Sequence, residues 1–512
     1  MGEPAKPALQ VIVLGSGGGP QESNVTAFLV RSVEQNWRKG SLVAVDAGVH
    51  LSAITRLIQE TLPSPPPIAP YTLTSGPFAG LELPYSNATA NAAHVTRVLV
   101  DSYLITHPHL DHISAFVINT AGLPGTRPKK LAALPSTIQA FKTHIFNNVI
   151  WPNLSDENNG AGLLTYLRLV EGGSPALGDG DGKGYMEVCD GLQVKTWSVS
   201  HGHCIEKHSH RGSSVSSPSP RFGSHDASSQ TPRRDPYSTP GSLPSARQSL
   251  TNHNSFTNTS QGTGEQERIC VYDSSAYFIQ EQSSRREVLI FGDVEPDSVS
   301  LSPRNLQVWQ EAAPKIAAGN LAAIFIECSY DDSQSNDRLY GHLKPVFIME
   351  EMRALASEVD VARKVRSLES KKRKRASTSD GSLARRNPLS KQGSQIEDHP
   401  VSPKSLRPST KISSEILPRQ QEAPGTPHIA TPTEELSLND VDIGSSAMQP
   451  PAELWPARPL EGLKVVIIHV KENLSDGPDP GDVILKQLQD YEIEAQLGCE
   501  FIISYSGQSF YL

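Results

Sequence analysis

Thr106-His107-Pro108-His109-Leu110-Asp111-His112 sets four metal-ligand side chains, His107, His109, Asp111 and His112, within six residues. In an extended segment residues two apart point to the same side, so His107 and His109 can reach one ion. Asp111 and His112 follow at once, and a tight turn is expected to aim them at a second ion beside the first. Imidazole nitrogen and carboxylate oxygen suit zinc or manganese, and no thiolate is present to make a purely structural zinc site. The apolar run Val98 to Ile105 reads as a buried strand that ends at these ligands. Any one of the histidines alone is more often a surface or satisfied core residue; four ligand types at this spacing are as specific as paired CxxC motifs.

Moving outward, the chain alternates between segments that can pack and segments that cannot. Its 512 residues include 40 prolines and only 37% hydrophobic and 6% aromatic residues. From about His208 to Glu267 it is Ser, Pro, Thr, Asn, Gln and Arg, and from about Ser367 to Pro456 it again lacks apolar periodicity. Neither stretch buries enough apolar surface to offset its ordering entropy, so both are expected to be disordered insertions. The remainder, about residues 8–207, 268–366 and 457–512, is expected to form one domain.

Within that core the β-rich runs are Leu9 to Leu14, Ala27 to Val30, Ser41 to Val45, Leu192 to Val199, Arg268 to Tyr272, Val288 to Phe291, Ala322 to Ile326 and Lys464 to Ile468. A helix is predicted from Pro345 through Leu355, since proline suits a first turn, and another from Asp482 to Gln489. Strands outnumber helices, which favours a pair of sheets flanked by helices over a doubly wound parallel sheet.

Several strands end in a ligand type: Ser200-His201-Gly202-His203, Gly292-Asp293-Val294-Glu295, Glu327 and His469. One polar residue at a strand end is usually a cap or turn former. Their recurrence in one chain with His107 to His112 reverses that weighting, and His201 and His203 both remain open as ligands at this point.

Together these motifs resemble the metallo-β-lactamase superfamily and, within it, the class II cyclic-nucleotide phosphodiesterases. The resemblance spans the folded core and implies an α/β fold, an αββα sandwich of two mixed β-sheets flanked by helices. The His107 to Ile113 segment matches the phosphodiesterase signature, although Ala115, Phe116 and Thr120 depart from the small, aliphatic and serine positions usual there. Carried over by position, His107, His109 and His201 would hold one ion, Asp111, His112 and His469 the other, and Asp293 would bridge them. Asp46, in Val45-Asp46-Ala47-Gly48, would orient the ligand loop without binding metal. Glu327 and His342, in Ile326-Glu327-Cys328-Ser329 and Gly341-His342-Leu343, resemble the family's pair beside the scissile phosphate.

The implied activity is hydrolysis of 3',5'-cyclic nucleotides, cAMP with cGMP as a second substrate, to the 5'-nucleoside monophosphate by a metal-bridged hydroxide, which lowers cAMP signalling. Two divalent ions are implied, zinc first and Mn2+ or Mg2+ as alternatives. Asp111 would handle the proton of the nucleophile and His342, supported by Glu327, would protonate the leaving group.

The rival within the superfamily is an RNA-processing endonuclease acting on tRNA 3' ends. A net charge of −9 and a pI near 6.0, with no basic arm, give no reason to expect nucleic-acid binding. A noncatalytic scaffold of the same fold would have no cause to retain every ligand type. Five widely spaced cysteines, no secretory h-region and no membrane-length apolar run point to a soluble, cytoplasmic protein. The basic run Lys371 to Arg375 has the composition of a nuclear-import signal, and Lys374-Arg375-Ala376-Ser377 resembles a site for a cAMP-dependent kinase. Gly15-Ser16-Gly17-Gly18-Gly19 lacks the Lys-Ser of a phosphate-binding loop and reads as a tight turn near the active site.

Overall fold

Runs such as Val11 to Leu14 and Val465 to Ile468 are apolar at every position, so neither face of these strands can meet water. The computed structural model, which describes residues 6–207, 267–379 and 458–512 apart from 66, 124, 126 and 179, buries both faces. In chain order the strands are β1 (Leu9–Gly15), β2 (Ala27–Ser32), β3 (Leu42–Ala47), the short pair β4 (Tyr71–Thr72) and β5 (Glu82–Leu83), β6 (Val100–Leu104), β7 (Lys129–Ala133) and β8 (Leu164–Arg168). They continue with β9 (Met186–Cys189), β10 (Leu192–Lys207), β11 (Glu267–Glu281), β12 (Glu287–Phe291), β13 (Leu321–Glu327), β14 (Lys464–Ile468), β15 (Glu500–Ile503) and β16 (Ser509–Tyr511). The helices are α1 (Leu51–Thr61), α2 (Ala88–His94), α3 (Leu110–Gly122), α4 (Pro135–Ala140), α5 (Asn305–Ala318), α6 (Pro345–Ser379) and α7 (Pro480–Ala495).

Two seven-stranded sheets form, in the orders β16-β1-β2-β3-β6-β7-β8 and β15-β14-β13-β12-β11-β10-β9. In each, an antiparallel meander passes into parallel strands: β3, β6, β7 and β8 in the first, β12, β13, β14 and β15 in the second. Alternation along each strand sorts side chains into layers. In β14, Val466 and Ile468 join the core between the sheets, where Val11, Phe28, Tyr277 and Phe325 lie, while Val465 and Ile467 pack with Trp309 of α5, Met352 of α6 and Leu488 of α7. Ile54 of α1, Phe116 of α3 and Ile138 of α4 cover the first sheet in the same way. Each such fully buried side chain contributes about 1.5–3 kcal/mol of transfer free energy. The expected αββα layering is therefore present.

Four expectations need correction. Val98 and Leu99 belong to a helical turn, Val95–Leu99, that continues α2, and the strand starts only at Val100, which pairs with Leu42. An apolar β-branched run does not fix that boundary by periodicity. Asp111 and His112 lie not in a tight turn but in the first turn of α3, after His109 in extended conformation at its N-cap. A carboxylate is favoured at that end of a helix. The helix from Pro345 continues to Ser379, beyond the expected start of the second insertion, because its Glu, Lys, Arg and Ala are good helix formers. Glu267, assigned to the first insertion, is already paired with Lys207. The insertions otherwise lie outside the described residues. Among the described residues no helix is long and apolar enough to cross a membrane.

Candidate active site

The parallel runs bring five chain segments to one edge. β3, β6, β12, β13 and β14 point their carboxyl ends the same way within each sheet, and Asp46, the His107 to His112 segment, Asp293, Glu327 and His469 sit at or just past those ends. Loops at strand carboxyl ends are where open α/β sheets gather ligands. His201 arrives differently, on a bulge of β10 where the register with β11 shifts between Ser200 and His203. Such a bulge re-aims a side chain. Here it turns His201 inward, buried, while His203 is exposed.

The sequence-predicted ligands converge into two groups that share one carboxylate. His107, His109, His201 and Asp293 form the first; Asp111, His112, His469 and Asp293 form the second, with ligand atoms in each within 4.8 Å of one another. Asp293 Oδ2 lies 3.5 Å from both His107 Nε2 and His201 Nε2 and 3.4 Å from His469 Nε2, while its Oδ1 lies 3.2 Å from His112 Nε2. Asp111 Oδ2 is 3.7 Å from His469 Nε2. His112 Nε2, His469 Nε2 and Asp293 Oδ1 are buried without a hydrogen-bond partner, although an unmet buried polar atom costs about 1–3 kcal/mol. Three such atoms facing one space, in a nitrogen and oxygen donor set, fit divalent cations.

The other ring nitrogens are held from behind. His112 Nδ1 is 2.7 Å from Asp46 Oδ2, and Asp46 also accepts from the Thr106 backbone N–H and hydroxyl at 2.8 Å each. His469 Nδ1 meets the Thr26 hydroxyl at 2.7 Å, and His201 Nδ1 meets the Gly341 carbonyl oxygen at 2.9 Å. The Tyr277 hydroxyl crosses between the sheets to donate to the Ile105 carbonyl at 2.6 Å. Thr26 and Tyr277 carry no local signal in the sequence; Thr106 and Ser329 lie inside the stretches that hold the ligands and Glu327.

Glu327 and His342 pair as expected, with His342 Nδ1 2.9 Å from Glu327 Oε1. Glu327 is further fixed by the Val294 N–H at 2.8 Å and the Ser329 hydroxyl at 2.6 Å. Burial disfavours the His342 imidazolium, but Glu327 and then Asp293 outweigh it and raise its pKa. At His107 and His469 burial prevails and holds the pKa well below the ordinary value, and it lowers His109 to about 4, leaving lone pairs free for metal. Burial opposes the anionic form of Asp293, yet the surrounding His112, His469 and His107 hold it well below the usual carboxylate range.

Two mixed sheets enclosed by helices, with imidazoles and carboxylates gathered at one edge, define the metallo-β-lactamase fold. The chain belongs to the class II cAMP phosphodiesterases: the model of that family matches residues 8–216, 227–369 and 455–507. A 3',5'-cyclic-nucleotide phosphodiesterase of Schizosaccharomyces pombe is 27% identical over 352 residues, 68% of this chain and 75% of that protein. One from Candida albicans is 26% identical over 386 residues, 69% of this chain and 83% of its own length. The crystal structure of unliganded yeast PDE1 is similar in fold, with TM-score 0.57 and 17% identity over 99% of this chain and 100% of that one.

Proposed function

We propose that the chain hydrolyses 3',5'-cyclic nucleotides, cAMP foremost and cGMP second, to 5'-monophosphates and thereby lowers cAMP signalling. The observation that carries this reading is Asp293, whose carboxylate is shared by both histidine groups while the Glu327–His342 pair stands beside it. His107, His109 and His201 with Asp293 hold one cation, and Asp111, His112 and His469 with Asp293 hold the other; Asp46 fixes His112. Two divalent ions held there, zinc first and manganese or magnesium as alternatives, would supply positive charge for the phosphodiester oxygens and lower the pKa of the attacking water. Asp111, whose side chain is 30% exposed, orients that water and accepts its proton. His342, whose pKa Glu327 raises, gives its proton to the leaving ribose 3' oxygen as the P–O3' bond breaks. Purified chain assayed side by side on cAMP, a tRNA precursor and a thioester should turn over cAMP alone; preference for either other substrate contradicts the reading.

The two insertions are then additions to one catalytic domain. Cytoplasmic residence is proposed, with nuclear entry through Lys371 to Arg375; a tagged chain found in neither compartment contradicts it. Phosphorylation of Ser377 by a cAMP-dependent kinase would feed back on the enzyme, and absence of phosphate incorporation there removes that idea.

A further inference from the structure

We infer that Tyr340 is the platform on which the base of the nucleotide stacks. This rests on the phosphodiesterase reading and extends it to a subsite for the purine. Tyr340 is 71% exposed and holds a left-handed backbone at φ 53°. A bulky residue there is strained, and such strain gathers at ligand clamps.

The neighbouring contacts show why the position is fixed. Gly341, at φ 82°, lies so close to β10 that a Cβ on it would stand 2.7 Å from Gly202 N and from the His201 carbonyl carbon. Its own carbonyl oxygen holds His201 Nδ1 at 2.9 Å. The clamp that orients a ligand histidine therefore also sets where Tyr340 stands, one residue from Gly341 and two from His342. Tyr330 lies on the same wall, its ring 6.1 Å from that of His342. Burial, the Glu327 carboxylate and the neighbouring Tyr340 raise the Tyr330 pKa, as expected if the two phenols lie near one another.

Substrate chemistry then selects this wall. If His342 protonates the ribose 3' oxygen, the ribose lies on the His342 side and the base projects one sugar ring further, toward Tyr340. An exposed aromatic face binds any base by stacking, independent of its hydrogen-bonding edge. Both purine cyclic nucleotides would use it.

The test compares Tyr340→Ala and Tyr340→Phe with the unaltered chain on cAMP and on ribose 3',5'-cyclic phosphate lacking a base, with bound metal measured in each. Tyr340→Ala should raise KM for cAMP by about tenfold with kcat little changed, and leave the baseless substrate and metal content unaffected. Tyr340→Phe should retain the original KM. An unchanged KM for cAMP in Tyr340→Ala, or equal losses on both substrates, overturns the inference. Across the site Tyr272 lies with its ring 6.4 Å from that of His109, and a KM rise on Tyr272→Ala alone would move the base to that wall and also overturn it. An unaltered chain that ignores cAMP contradicts the phosphodiesterase reading itself, and the inference falls with it.

Discussion

At the scale of single residues, the site is marked by backbone that ordinary side chains avoid. Of the described non-glycine residues at positive φ, four are asparagines, the residue most tolerant of it; of the other five, Asp46, Tyr340 and His469 stand at the site. Asp46→Asn keeps its size but weakens its hold on His112, and metal affinity should fall about 10–100-fold by titration, with an unchanged affinity arguing against its role. Asp293→Ala or His109→Ala should abolish turnover and lower bound metal. A separate prediction concerns His50, which is buried, carries an unpartnered Nδ1 and has its pKa lowered to about 3 by burial, with Lys129 adding to the effect. Its folded pKa lies below its unfolded value near 6.5, so the unfolded state binds more protons between them. The stability gained from neutral His50 is full above the unfolded pKa and is lost as pH falls through that window. His50→Gln should flatten the acid limb of a stability-versus-pH curve; an identical limb would exclude His50 as a source. Most ligands were legible because His107 to His112 lie together and Asp293 and His469 follow apolar runs; His201, expected at a strand end, instead sits on a bulge inside β10, which runs on to Lys207. Thr26 was not, since 443 residues separate it from His469 and only the folded sheet brings them together.

At the scale of elements, the site depends on ties between helices that sequence does not announce. Glu351 of α6 accepts from the Asp297 N–H at 2.9 Å, Asn305 Nδ2 at 3.2 Å and Trp309 Nε1 at 2.6 Å, fastening the loop after Asp293 to α5 and α6. Glu351→Ala leaves the buried Trp309 Nε1 unmet and unties the Asp297 loop, and should cost about 2–4 kcal/mol in denaturant unfolding; an unchanged midpoint would show the tie is idle. Strands buried on both faces, such as β12, β13 and β14, were readable from the continuous apolar runs Val288 to Phe291, Ala322 to Ile326 and Val465 to Ile468. The short β9, β15 and β16 were not, and α3 was hidden because its first turn is made of ligands rather than of a helical apolar pattern.

At the scale of the whole molecule, the two composition-biased segments leave the paired sheets intact. Backbone pairing of Lys207 with Glu267 brings the ends of the first segment face to face. Replacing residues 208–266 by Asn-Gly, a turn suited to closing antiparallel strands, should preserve metal content and kcat. A large loss of either would assign that segment a part in catalysis. The histidine and aspartate groups sharing Asp293 are proposed to hold the ions needed to hydrolyse a cyclic phosphodiester, and this assignment underlies every other role in the site. It is tested most directly by following cAMP turnover and bound metal in one preparation as metal is removed and restored. Formation of 5'-AMP should fall to background with the metal and return with zinc, manganese or magnesium. Full activity in the metal-free chain, or none in the fully loaded one, would contradict that assignment.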